Sequence, residues 1–235
     1  MNTLYIIIPA YNEEENITQV AKEWHEVVSS VNKESRLVII NDGSSDDTEM
    51  MLKSLKLELS QLEVVTKTNS GHGATALFGY KFALDHGADY IFQTDSDGQT
   101  LSSEFLQFWD LREQYSALVG YRNQRQDGLS RVLVTKTLRF VLWFIFGVWV
   151  TDANTPYRLM NRQILEQYMP KVPKDFNLSN VILTLCFVKY KESIKFIPIT
   201  FRPRQGGLNS INFKKIIGIG KKALKDFRMI KKALR

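Results

Sequence analysis

Three apolar runs in the N-terminal half of the chain each close in a polar, acidic loop. Leu4-Tyr5-Ile6-Ile7-Ile8 leads into Pro9-Ala10-Tyr11-Asn12-Glu13-Glu14-Glu15-Asn16. Leu37-Val38-Ile39-Ile40 leads into Asn41-Asp42-Gly43-Ser44-Ser45-Asp46-Asp47. Ala88-Asp89-Tyr90-Ile91-Phe92-Gln93-Thr94 leads into Asp95-Ser96-Asp97-Gly98-Gln99. Helical patterns separate these strands. Ile17, Val20, Ala21, Trp24, Val27 and Val28 recur in steps of three and four within 13–30, and similar patterns cover 46–59, 75–84 and 102–114. Short strands are expected at 62–65 and 117–121. Repeated β-α-β units predict an α/β fold: a mostly parallel sheet with helices on both faces. Ligands bind beyond the carboxyl ends of the strands in such a sheet, so the three acidic loops are expected to form one wall of one site.

Asp95 and Asp97, one residue apart at a strand end, would project to the same side of the pleat. Hard oxygen donors of this kind suit Mg²⁺ or Mn²⁺. Taken alone, the pair also reads as turn residues that accept bonds from nearby amides. Helix-dipole charge would explain Glu13 to Glu15 equally well. A turn and an N-cap would explain Asp42 and Asp46. Gly71 and Gly73 permit a tight turn into a helix, and no P-loop pattern accompanies them.

Composition narrows the class. The 235 residues are 44% hydrophobic and 24% charged, which suits one domain with an appended piece. The single cysteine, Cys186, excludes an internal disulfide and sits in an apolar run, where a small core residue is expected. The histidines, His25, His72 and His86, are scattered, with no zinc pattern. The N-terminus reads as a first strand rather than a signal peptide, and a cytoplasmic location is the expectation.

The net charge of +6 is unevenly spread. Residues 202–235 carry 11 of the 31 Lys+Arg and one acid, Asp226; the remainder is net acidic. The excess predicts an anionic surface as partner. Aromatics do not interleave with it, so nucleic acid is not expected. From Phe213 onward, apolar Ile216, Ile217, Leu224, Phe227 and Ile230 alternate with lysines and arginines. Such a helix either lies along an anionic bilayer or is a solvated face packed on its own domain. The uncharged run 140–150, with Trp143 and Trp149, is shorter than the roughly 18–20 residues that span a bilayer. It is a core helix or an interfacial one.

Six segments in order resemble the inverting family 2 glycosyltransferases of GT-A fold, in particular the polyprenyl-phosphate sugar transferases such as the dolichol-phosphate mannose synthases. They are Pro9-Ala10-Tyr11-Asn12-Glu13, Asn41-Asp42-Gly43-Ser44-Ser45-Asp46, Asn69-Ser70-Gly71-His72-Gly73-Ala74, Asp95-x-Asp97-x-Gln99, Asp152-Ala153-Asn154-Thr155-Pro156-Tyr157-Arg158, and 197–210, which ends in Arg202-Pro203-Arg204-Gln205-Gly206-Gly207-Leu208-Asn209-Ser210. Asn41 stands where the family commonly has Asp. Thr155-Pro156-Tyr157 replaces Ser-Gly-Phe, and Thr100-Leu101-Ser102-Ser103 replaces the usual prolines.

The resemblance implies a GT-A domain over 1–210 and a basic amphipathic C-terminal helix over 211–235. It implies a nucleotide-sugar donor whose base and ribose are held by Pro9, Tyr11, Glu13 and Asp42, with Asp95 touching the ribose or the metal's water shell and Ser96 also binding the donor. Asp97 and Gln99 would ligate Mg²⁺ or Mn²⁺. Arg158, Arg202, Arg204 and Ser210 would meet phosphates. Asp152 would act as base if the acceptor were a sugar hydroxyl; a polyprenyl phosphate, already anionic, would need none. The implied activity is metal-dependent inverting transfer to a polyprenyl phosphate by a protein peripheral on the inner face of the membrane. A glycan acceptor and a catalytically silent membrane-binding scaffold are the alternatives, and there is room for an integral membrane partner.

Overall fold

A computed structural model describes residues 2–122, 129–174 and 176–203, together with Phe227 and Lys231; of residues 129–137 it describes the backbone alone. Strands β1 (Leu4–Ala10), β2 (Arg36–Asn41), β3 (Leu62–Thr66) and β4 (Tyr90–Gln93) alternate with helices α1 (Ile17–Val31), α2 (Thr48–Glu58) and α3 (His72–Asp85). Helix α4 (Phe105–Trp109), strand β5 (Ala117–Arg122), helix α5 (Leu129–Phe146), strand β6 (Arg158–Asn161), helices α6 (Arg162–Tyr168) and α7 (Ser179–Lys189) and strand β7 (Ile194–Ile199) follow.

The strands form one seven-stranded sheet in the order β3-β2-β1-β4-β6-β5-β7. Strand β6 runs antiparallel to both β4 and β5, and the other neighbouring pairs are parallel. The mostly parallel α/β expectation therefore holds, with one reversed strand that the sequence patterns did not reveal. Every residue of β1 is buried, as a central strand covered on both faces requires. Its alternate side chains divide the core. Tyr5 and Ile7 face α3 and α7, whereas Leu4, Ile6 and Ile8 face α1 and α2. Helix α3 lies close on the sheet because Gly79 has no side chain; a Cβ there would come within 2.3 Å of Ile7 Cγ2.

Several boundaries differ from expectation. Helix α1 begins at Ile17 because residues 13–16 form a turn, in which the N–H groups of Asn16 and Ile17 both donate to the Glu13 carbonyl. The helix expected over 102–114 is a short 3₁₀ turn at Ser102–Glu104 followed by α4, after which the chain continues in i−3 turns. Phe105 and Phe108 anchor this segment in the core, and beyond them Trp109, Leu111 and Tyr115 are only partly buried. Strand β4 ends at Gln93, so Asp95 and Asp97 lie on a loop and the pleat does not set their directions. Cys186 is buried and its thiol is pushed up to about 11, chiefly by burial, which matches a packing role. No described helix is long and apolar enough to cross a membrane.

Candidate active site

Strand β1 lies between β2 and β4, and all three run in the same direction. Their carboxyl-end loops therefore meet, and side-chain bonds fasten them together. Asn12 takes a left-handed backbone (φ 53°), a conformation Asn tolerates better than most residues. Its N–H donates to Ser44 Oγ at 3.0 Å and its side-chain oxygen accepts from the Ser45 N–H at 2.8 Å. Glu13 is buried; its N–H donates to Thr48 Oγ1 at 2.8 Å and its carboxylate accepts from the Asn16 side chain at 3.1 Å. Asp46 accepts from the N–H groups of Thr48 and Glu14. Partial burial pushes its pKa up, but these bonds outweigh that and hold it below the ordinary carboxylate value.

Asp42 is buried and organises the third wall. It accepts from the N–H groups of Ser70 at 2.9 Å and Gly71 at 3.0 Å, and it pairs with Lys67. The loop 67–71 is thereby fixed ahead of α3. Gly73, in the first turn of α3, allows the 176–177 segment to approach; a Cβ there would lie 2.3 Å from the Phe176 carbonyl oxygen. Pro9 is held within β1 opposite Ile40, and Tyr11 is exposed at the rim.

The Asp95–Gln99 loop hangs over this floor. Asp95 Oδ1 is buried without a hydrogen-bond partner, and His72 Nε2 lies 3.6 Å from it. Ser96 is buried beside it. Asp97 Oδ1 accepts from the Gln99 N–H at 3.1 Å. The Gln99 side-chain nitrogen donates to the Arg202 carbonyl at 2.8 Å, leaving its amide oxygen as an acceptor. These residues fit a hard divalent cation: the donors are oxygens and one of them is a buried carboxylate oxygen that accepts no hydrogen bond. Among the described residues no group of three His, Cys, Asp or Glu closes such a site alone.

The opposite side of the site comes from β5, the residues before β6, and the exit of β7. Arg122, at the end of β5, binds Asp152 through two parallel bonds of 2.9 and 3.1 Å. Its guanidinium also lies 5.1 Å from the Phe201 ring centre. Arg158 is wholly buried and is not at the surface of the site. It donates to the carbonyls of Thr155, Ala153 and Asn180 and to Thr184 Oγ1. Burial pulls its pKa below the arginine norm, although Tyr80, Asp152 and Asp95 oppose that shift. Tyr157 donates to the Leu101 carbonyl at 2.9 Å and joins an aromatic cluster with Trp24, Phe92, Phe105 and Phe108. The 152–158 turn is thus locked to the Asp95–Gln99 side.

Pro9, Tyr11, Glu13, Asp42, Asp95, Ser96, Asp97 and Gln99 come together at one end of the sheet, while Arg158 lies beneath it. Arg204 and Ser210, the 211–235 helix as a unit, and the 1–210 boundary lie outside the described residues. Lys67, His72, Glu104 and Arg122 are site residues that sequence reasoning did not single out. Only His72 lay within a recognised motif. Glu104 accepts the Thr200 N–H on both carboxylate oxygens, at 3.1 and 3.0 Å, fastening the β7 exit near Arg202.

Comparison with known proteins agrees with this arrangement. The family model described as Glycosyl transferase family 2 matches residues 5–169. A polyprenol monophosphomannose synthase of Mycolicibacterium smegmatis is 26% identical over 216 residues, covering 88% of this chain and 80% of that protein. An undecaprenyl-phosphate 4-deoxy-4-formamido-L-arabinose transferase of Salmonella choleraesuis is 24% identical over 217 residues, covering 91% of this chain and 64% of that protein. The fold is that of glucosyl-3-phosphoglycerate synthase from Mycobacterium tuberculosis, solved in complex with Mn²⁺, UDP-glucose and phosphoglyceric acid. The TM-score is 0.71 at 16% identity, over 98% of this chain and 80% of that one. The GT-A architecture expected from the motifs is therefore the one found.

Proposed function

This chain belongs to glycosyl transferase family 2, and we propose that it moves a sugar, with inversion, from a nucleotide-sugar donor to a polyprenyl phosphate. The observation that carries the choice of acceptor is the two-bond pair between Arg122 and Asp152. A general base must leave its partner and take a proton from the nucleophile. Asp152 would have to break a charge-assisted pair to do so. An acceptor phosphate is already anionic and needs positioning and charge neutralisation instead. The names of the mycobacterial and Salmonella relatives support the same acceptor class.

In this reading Pro9, Tyr11 and Glu13 line the base, and Asp42 shapes the loop that receives the ribose. Asp95 touches the ribose or the water shell of the metal, with Ser96 beside it. Asp97 and Gln99 hold Mg²⁺ or Mn²⁺, which when bound supplies Lewis-acid stabilisation of the departing nucleoside diphosphate. Arg122 and Arg202 neutralise the acceptor phosphate as its oxygen approaches the sugar from the face opposite the leaving group. Arg204 and Ser210 extend that contact. Arg158 is a positioning residue: it gathers the 153–155 carbonyls and so aims Asp152 and, through it, Arg122. The basic C-terminal segment brings the site to the anionic inner leaflet.

The test is incubation of the full chain with Mn²⁺, each common labelled nucleotide sugar, and a polyprenyl phosphate. Label extracted into organic solvent is expected from one donor. Transfer only to a water-soluble glycan would overturn the lipid-phosphate reading.

A further inference from the structure

Helix α5 is apolar on two faces. Leu138, Val141, Leu142, Ile145 and Phe146 pack into the core. On the other side Phe140, Trp143 and Phe144 are 59%, 48% and 76% exposed, and Trp149, just past the helix, is 60% exposed. Phe140 and Trp143 are in ring contact, with centres 5.7 Å apart. Steps of three and four put these side chains on one stripe. A helix on the surface of a soluble domain carries polar residues there, yet no charge occurs between Arg139 and Asp152. A contiguous exposed aromatic patch of this kind marks an interaction surface.

We infer that this stripe is a membrane-docking face which inserts into the interfacial layer of an anionic bilayer and holds the Arg122–Asp152 pair at the lipid surface. This rests on the lipid-phosphate reading for its purpose, but not for its chemistry. Tryptophan and phenylalanine with no charge among them, on a helix too short and too polar at its start to span, suit the bilayer interface. Arg139 borders the stripe, and its guanidinium sits 5.6 Å from the Trp149 ring centre, as a cation does where aromatic surface meets headgroups. Phe227, which falls within the basic C-terminal part of the sequence, is buried with its ring 5.9 Å from that of Phe146 on this same helix. The ten-charge basic excess of residues 202–235 complements anionic lipid and would repel its own copy.

The face is also wired to the site. Arg139 donates to the Thr151 carbonyl, and Thr151 precedes Asp152, which holds Arg122. Seating Trp149 and Arg139 at the interface therefore sets the height of the Arg122 guanidinium above the bilayer.

The experiment uses the full chain and vesicles of phosphatidylcholine, with or without phosphatidylglycerol, and with acyl chains brominated to quench tryptophan. No donor or acceptor is added. The double variant Phe140→Ser, Phe144→Ser leaves Trp143 and Trp149 as reporters and changes only exposed side chains; an unchanged unfolding midpoint checks its fold. The wild type is expected to partition onto anionic vesicles with quenched tryptophan. The double variant should lose the quenching and partition at least roughly tenfold more weakly. Unquenched wild type, equal partition of the two proteins, or a wild-type dimer that the variant dissolves would each overturn the proposal. A parallel assay compares a short water-soluble prenyl phosphate with a long polyprenyl phosphate in the same vesicles. Selective loss of the long acceptor in the variant supports the docking role. If the wild type uses neither acceptor while its vesicle quenching persists, the function proposed above falls and the docking face stands.

Discussion

Gln99 and Arg202 hold each other by two backbone-linked bonds: the Gln99 side-chain nitrogen donates to the Arg202 carbonyl and the Arg202 N–H donates to the Gln99 carbonyl, both at 2.8 Å. A residue of the metal-type loop is therefore also the clasp for the segment that presents an arginine to the site. Gln99→Glu keeps an oxygen ligand but turns the donor that faces the Arg202 carbonyl into an acceptor. It should lower kcat/KM on the order of a hundredfold while leaving Mn²⁺-dependent nucleotide binding close to normal. Steady-state kinetics beside calorimetry with nucleoside diphosphate and Mn²⁺ separates the two effects. A parallel collapse of nucleotide affinity would reassign Gln99 to the metal alone.

Asp97→Asn, and chelation of the wild type with EDTA, are expected to abolish transfer with circular dichroism unchanged. Asp97 is half-buried on the loop after β4, and Asn keeps the side-chain oxygen that accepts the Gln99 N–H, so the fold is expected to survive the change. Full turnover in excess chelator would remove the metal from the mechanism.

Asp42→Ala leaves the Ser70 and Gly71 N–H groups without their acceptor and takes the counter-charge from the mostly buried Lys67 ammonium, which keeps the Thr68 carbonyl and Ser70 Oγ. The expected cost is about 2–3 kcal/mol of stability, read by urea denaturation. Nucleotide affinity should fall too, because the 67–71 loop loses its shape. Asp42→Asn, which retains one acceptor oxygen, should recover part of both. An Ala variant as stable as wild type would show that the loop is held by other means.

Asp152→Asn distinguishes a base from a positioning group. A general base contributes about 10²–10⁴-fold, and its loss removes the acid limb of the kcat/KM pH profile. The Arg122–Asp152 pairing predicts a smaller fall and an acid limb that persists. Arg122→Lys cannot make both bonds and should resemble it. A rate lost by the full general-base factor together with that limb would favour a hydroxyl acceptor.

Asp46 supplies a pH test of the loop lock. Its carboxyl titrates lower in the folded chain than the ordinary 3.8, so its stabilisation is whole above that value. It is lost as pH falls through the depressed folded value. Asp46→Asn should be less stable than wild type at neutral pH and converge with it in acid, so that the acid limb flattens in that window, measured as unfolding midpoint against pH. Identical acid limbs would show that the Thr48 and Glu14 contacts carry no linkage.

The sequence by itself determined β1 to β4, the acidic loops beyond three of them, and α1 to α3. Those features are local: alternating burial and three-to-four spacing are written within a dozen neighbouring residues, and Asp42, Asp95 and Asp97 sit at the ends of the runs that carry them. Only the tertiary structure decided what those side chains face. Strand β6 is four residues long and takes its antiparallel place from partners on both sides, not from its own pattern. Arg122 meets Asp152 across 30 residues and Gln99 meets Arg202 across 103, distances over which no periodicity reports. Arg158 was expected at a phosphate because it closes the 152–158 segment and its guanidinium suits one; it is buried because the Ala153 and Thr155 carbonyls meet it from its own turn and Asn180 and Thr184 meet it from α7. Phe140, Trp143 and Phe144 read equally as core or interface until the packing of Leu142 and Ile145 turned them outward.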